Sequence, residues 1–188
     1  LCDNLSEGGT TPSHGQITLA CKELHVKLFS LIRPRSGDFL YSRQEFEVML
    51  SDVRHCIERG CDGIVTGILN KDGSVDVERC SQLANMARQH GLASTFHRAF
   101  DMCADQEKAL EDIIGAGFER VLTSGGKSFA IEGAAVIKNL VKKANGRIAI
   151  MAGGGINESN VANLVHYTGV TEIHSSARSI VKSDMLYQ

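Results

Sequence analysis

The run Ser94-Thr95-Phe96-His97-Arg98-Ala99-Phe100-Asp101 puts an imidazole, a guanidinium and a carboxylate at the end of a strand-like stretch. Such stretches ordinarily close on Gly, Asn or Pro, so three chemically active groups there need a reason. A second cluster is Glu172-Ile173-His174-Ser175-Ser176-Ala177-Arg178, and a third is the glycine run in Met151-Ala152-Gly153-Gly154-Gly155-Ile156. Imidazole moves protons near neutral pH, which makes His97 and His174 the candidate proton carriers. Glu172 stands two residues before His174 on the same strand face, where it would orient that ring or act as a base. Arg33, Arg98 and Arg178 supply fixed positive charge, and Ser124 and Ser176 supply hydroxyl donors. The amides of Gly154 and Gly155 can approach an anion because no Cβ stands in the way. Together these groups would suit a small phosphorylated or carboxylated metabolite, held between the Gly154 and Gly155 amides and Ser176. Taken singly, each is an ordinary turn residue, and a tight strand-to-helix turn wants glycine in any case.

For these groups to meet, the strand ends that carry them must open on one face. β-rich runs fall at 26–33, 62–67, 92–98, 119–124, 147–152 and 171–176. Helical patterns lie between them. Ser42 and Glu45 form a capping box ahead of Phe46, Met49, Leu50, Val53 and Ile57 at helical spacing, and Gly60 is the stop. Further helices are expected at 13–24, 77–90, 106–114, 131–144 and, after an Asn157 cap, 158–167. Strands alternating with helices mean a parallel sheet with crossover connections. Alternate strand positions are polar or small (Ala93, Thr95, His97; Glu172, His174, Ser176), which suits the tapering interior of a (β/α)8 TIM-type barrel better than an open sheet buried on both faces. In a barrel the C-terminal strand ends share one face, and those ends carry Arg33, Gly67, His97, Ser124, the glycine run and His174. Neighbouring strand residues point opposite ways, so His97 is expected inward, above Thr95, with Arg98 bending over the rim toward Asp101. Of the loop residues Arg33, Arg35 and Asp38, one arginine is expected to pair with the aspartate, leaving the other for an anion.

The composition bounds the class of protein. The 188 residues are 43% apolar and 22% charged, with a net charge of −2, as in a single globular domain spanning 1–188. A sequence pI of 6.4 offers no electrostatic footprint for nucleic acid. No apolar run approaches the ~20 residues of a membrane span, and no export signal opens the chain, so neither membrane nor nucleic acid is an expected partner. The six cysteines (2, 21, 56, 61, 80, 103) form no CxxC pair and read as reduced, mostly buried thiols of a cytoplasmic protein.

Six segments, Leu1-Cys2 with LSEGGTTPS (5–13), IRPRSGDFLYS (32–42), TFHRAFD (95–101), FERVLTSG (118–125), MAGGGI (151–156) and EIHSSAR (172–178), resemble the CutC copper-homeostasis family in order and spacing along essentially the whole chain. The resemblance implies a (β/α)8 barrel, a cytoplasmic homo-oligomer, and Cu(I) handled by cysteine near the barrel mouth, with no organic cofactor. Cys2 matches one of the family's proposed ligands, at the end of the second strand. On that match the first strand, its helix and most of the second strand fall outside this sequence, which is then expected to be part of a longer barrel. Cuprous ion prefers soft sulfur ligands, and Cys103, just after TFHRAFD, is a conceivable second one. Two functions therefore stand side by side. One is a Cu(I)-binding homeostasis barrel. The other is an enzyme or binding protein for a small anionic metabolite, which the arginine- and histidine-rich strand ends suit better than they suit Cu(I).

Overall fold

The structure is a computed structural model that describes residues 1–177 and 179–187. Arg178, expected in the anion site, lies outside the described residues.

Helix α1 (His14–Glu23) starts from a capping box in which Ser13 accepts from the Gln16 amide while the Gln16 side chain accepts from Ser13. Helix α2 (Arg43–Arg59) has the expected Ser42 and Glu45 box, and it stops at Gly60, whose φ of 75° an L side chain would resist. Helices α3 (Val77–Gln89) and α4 (Gln106–Gly115) begin at Asp76 and Asp105, whose carboxylates accept from the first free amides. Helix α5 (Ala134–Ala144) starts three residues later than its periodicity predicts, because residues 128–133 are turns tied to the glycine run. Helix α6 (Val161–Thr168) also starts late. Asn157 accepts from Ser159 in a turn of its own, and Asn160, not Asn157, precedes the helix.

Six short strands form one parallel sheet in chain order: β1 (Phe29–Leu31), β2 (Gly63–Thr66), β3 (Ala93–Phe96), β4 (Arg120–Thr123), β5 (Ala149–Gly153) and β6 (Glu172–His174). The described residues thus build a six-stranded parallel half-barrel, as the six β-rich runs predict, and β1 and β6 are its two edges. Leu1 lies beside β1, where its carbonyl accepts from the Leu31 amide at 2.9 Å.

The apolar core lies between the sheet and its helices. Ile64, Phe96, Val121 and Ile150 on the outer face meet Val53, Leu83, Leu110 and Ile137 of α2 to α5, all nearly solvent-free. The opposite parity faces inward: Phe29, Val65, Thr95, Arg120, Met151 and Glu172 line a cavity of about 960 Å³. Among the described residues, no helix is long and apolar enough to cross a membrane.

Candidate functional site

The histidine, arginine and aspartate at the end of β3 are explained by what the aspartate holds. Beyond Phe96 the chain enters a short 3-10 turn (Arg98–Met102) that carries Asp101 under the end of β4. There one oxygen of Asp101 accepts from Thr123 Oγ1 (2.5 Å), the Ser124 amide (3.1 Å) and the Gly126 amide (3.0 Å). The other accepts from Ser124 Oγ (3.0 Å) and from Arg98 Nε (2.7 Å). Asp101 is therefore a structural anchor, joining the β3 and β4 ends through charge-assisted hydrogen bonds.

Arg98 turns over the rim to Asp101 and from there donates through Nη2 to Ser124 Oγ (2.7 Å) and the Lys127 carbonyl (3.0 Å). Its Nη1 faces the glycine run: a Cβ on Gly154 would lie 3.5 Å from it and 3.3 Å from the Ser124 Cβ. Gly154, with φ of 114°, occupies backbone space that an L side chain rarely adopts. Arg98, Ser124 and Gly154 thus form one rim cluster. His174 stands apart on β6, beside Gly153, where a Cβ would lie 3.2 Å from its own, and partial desolvation lowers the pKa of its imidazole. Gly155 packs under the Phe129 ring, and its carbonyl accepts from the Asn160 side chain at 2.9 Å. Ser176 lies exposed beyond β6, while its neighbour Ser175 donates to the Ile156 carbonyl at 2.9 Å.

His97 and Arg33 lie on the other side of the strand ends. The His97 ring sits above Gly67, where a Cβ would come within 2.8 Å of Nδ1, and tilts against Phe39 at 4.9 Å between centroids. Nδ1 accepts from the Ala99 amide at 3.2 Å, which puts the proton of the neutral ring on Nε2. Burial, reinforced by the Arg33 cation, pushes its pKa down to about 3. His97 is then a fixed neutral donor at physiological pH rather than a proton carrier poised near neutrality. Arg33 differs from the expectation of a free anion ligand. It donates to the carbonyls of Glu7 (3.0 Å), Gly9 (2.7 Å) and Gly37 (2.8 Å), so it pins the 5–13 loop to the 34–41 loop. Its neighbour Arg35 takes Asp38 at 2.9 Å and Glu45 at 2.5 Å.

Arg120 is the inner-face residue the sequence reading missed. Its signal was a charge inside a short apolar strand, at the inward parity of FERVLTS. Arg120 Nε donates to Glu172 at 2.9 Å, across the intervening β5, and its guanidinium lies 5.3 Å from the Phe29 ring centroid. Glu172 is therefore held by Arg120 rather than orienting His174. Four inward donors are buried without a partner among the described residues: Thr95 Oγ1, His97 Nε2, Arg33 Nε and Arg120 Nη1. The first two and Arg120 are neighbours on the inner face, while Arg33 lies beside Phe39, against which the His97 ring tilts. Thr95 and Arg120 are register partners across β3 and β4, and His97 follows Thr95 by two residues on the same face.

For copper the donor set is thin. Cys2 is partly exposed, with its Sγ beside Gly9. Cys103, the conceivable second sulfur, is buried behind the 3-10 turn, donates to the Ala99 carbonyl at 3.6 Å, and burial raises its thiol pKa to about 12. Among the described residues no group of three or more His, Cys, Asp or Glu side chains is arranged to hold a metal ion.

A parallel half-barrel with a polar strand-end rim defines the class of protein structurally. The match to known proteins is closer than class. The chain belongs to the CutC family, whose model it matches over residues 1–179. It is 50% identical to a CutC family protein of Chromobacterium violaceum over 188 residues, which is 100% of this chain and 75% of that protein. It is 48% identical to the human copper homeostasis protein cutC homolog, covering 100% of this chain and 68% of the human one. The crystal structure of CutC from Streptococcus agalactiae superposes with a TM-score of 0.87 at 39% identity, covering 93% of this chain and 85% of that one.

Proposed function

We propose that this chain works in copper homeostasis, as a cytoplasmic, self-associating barrel that takes Cu(I) as cargo at Cys2. The observation that supports the role is identity of 48% over the whole chain with a human protein named for copper homeostasis. Cys2 is a soft donor with partial solvent access, and cuprous ion favours thiolate. A single thiolate leaves Cu(I) needing a second soft ligand from a small thiol or a partner protein, which suits transfer better than storage. Purified protein titrated with Cu(I) against a competing chelator should bind one equivalent when a small thiol is present. Cys2→Ser should lose that binding, and undiminished affinity in the variant would refute the assignment.

A second reading rests on a different observation, the row of unpartnered inward donors. Thr95, His97, Arg33 and Arg120 offer hydroxyl, imidazole and guanidinium hydrogens with no acceptor between them. Buried donors left unpaired are costly, so a site of this kind is built for an acceptor-rich guest. The same inner face therefore binds a small phosphorylated or carboxylated molecule, with Arg98, Ser124 and Gly154 at the rim and His97 as neutral donor. Inorganic phosphate or citrate should raise the melting temperature of the wild type and leave Thr95→Val unmoved. An equal shift in both proteins would remove the site.

A further inference from the structure

The end of the sheet opposite the strand-end rim carries a group that neither reading uses. Three thiols from separate places in the sequence meet where α1 packs on α2 and the chain enters β2. Cys21 Sγ, on α1, lies 3.5 Å from Cys61 Sγ, just before β2. Cys56 stands at the last turn of α2, and the Cys61 amide donates to its carbonyl at 3.0 Å. Exposure falls in order across the three: Cys21 is half-buried, Cys61 is 5% exposed and Cys56 is sealed.

We propose that Cys21 and Cys61 are a dithiol that closes to a disulfide when the protein meets a peroxide. A disulfide bond is about 2.05 Å long, so the two sulfurs must close roughly 1.5 Å, a small displacement for two side chains that already touch. Helix α1 can supply that movement, because Ile17 is its one fully buried residue. Cys21, the exposed member, reacts first. Its thiolate sulfur attacks one peroxide oxygen, the O–O bond breaks, and the departing hydroxide takes a proton to leave as water. The Cys61 sulfur then gives up its proton and attacks the sulfur of the resulting Cys21 sulfenic acid. The S–O bond breaks, a second water leaves, and the S–S bond forms. Two thiols have been oxidised and one peroxide reduced to two waters.

Cys56 lies sealed behind the pair. Hydrogen bonding from Cys61 lowers the Cys56 thiol pKa, while the same contact and burial raise that of Cys61. The remaining cysteines are placed differently. Cys80 and Cys103 are buried behind the sheet, and each thiol is already engaged with a backbone carbonyl, that of Ile68 at 3.7 Å and that of Ala99 at 3.6 Å. The bridge would tie α1 to the start of β2. Helix α1 begins directly after the loop whose Thr11 hydroxyl and Gly9 carbonyl hold Arg33, so the bond would also fix the approach to the strand-end rim.

The test uses the whole chain treated with hydrogen peroxide, then denatured, alkylated and mapped by tryptic digestion. Two of the six thiols should escape alkylation, and the peptide 1–22 should be joined to the peptide 60–71, with fragmentation placing the bond on Cys21 rather than Cys2. Cys21→Ser and Cys61→Ala should each abolish the joined peptide, and Cys80→Ser should keep it. Six alkylated thiols after treatment would overturn the proposal, as would a bridge to Cys2, Cys56 or Cys103 in place of the expected one.

Discussion

At His97 the decisive facts are burial and a single fixed hydrogen bond. The ring accepts from the Ala99 amide through Nδ1 and stays neutral because neither solvent nor a carboxylate stabilises its cation. The folded pKa of about 3 lies below the ordinary 6.5 of an unfolded chain. As pH falls through 6.5 the unfolded state takes up a proton that the folded state refuses, so stability declines from there toward pH 3. At pH 5 this one group should have removed about 2 kcal/mol. His97→Asn keeps an acceptor for the Ala99 amide and removes the titration. Urea midpoints at pH 7 and pH 5 should therefore draw together in the variant. An unchanged pH slope would mean that His97 is protonated in the folded protein.

The elements show what sequence pattern conveys and what it omits. Helix α2 was legible in full, since Ser42, Glu45 and Gly60 are local signals with local causes. The six strands were legible in place though shorter than drawn, because alternation continues past the last ladder hydrogen bond. The starts of α5 and α6 were not legible, because they answer to contacts between loops distant in sequence. The engagement of Arg33 with three carbonyls from two loops was hidden for the same reason. The strand-end candidates fall into two groups, Arg98 with Ser124 and Gly154, and His97 with Arg33, and no periodicity foretells that division. Gly133 illustrates the omission best. It has an ordinary negative φ, yet a Cβ there would overlap the Ser124 carbonyl and the Gly125 Cα. The N-terminus of α5 is thus docked backbone to backbone on the end of β4, beside the Asp101 anchor. Gly133→Ala must push these segments apart and should cost about 3 kcal/mol. Gly146→Ala, at a position with open space but positive φ, should cost about 1 kcal/mol by comparison. Equal melting temperatures for the two variants would show that the α5 docking is looser than its geometry.

On the scale of the whole molecule, a six-stranded parallel sheet has two edges, and something must relate them across the inner face. Arg120, on β4, touches both: it pairs with Glu172 on β6 and lies over the Phe29 ring on β1. With side chains 19% and 31% exposed, the pair sits between the surface case, worth little, and the buried case, where losing one partner is severe. Arg120→Met removes the charge and keeps most of the stem that covers Phe29, leaving the Glu172 carboxylate half-buried and alone. That variant should lose about 2 kcal/mol, and Glu172→Gln about 1 kcal/mol. In the double variant no uncompensated charge remains, so its loss should fall short of the sum by about 1 kcal/mol. Urea unfolding of the four proteins in low salt measures this directly. A strictly additive result would show that Arg120 serves each edge strand separately and that the inner face is held by apolar packing alone.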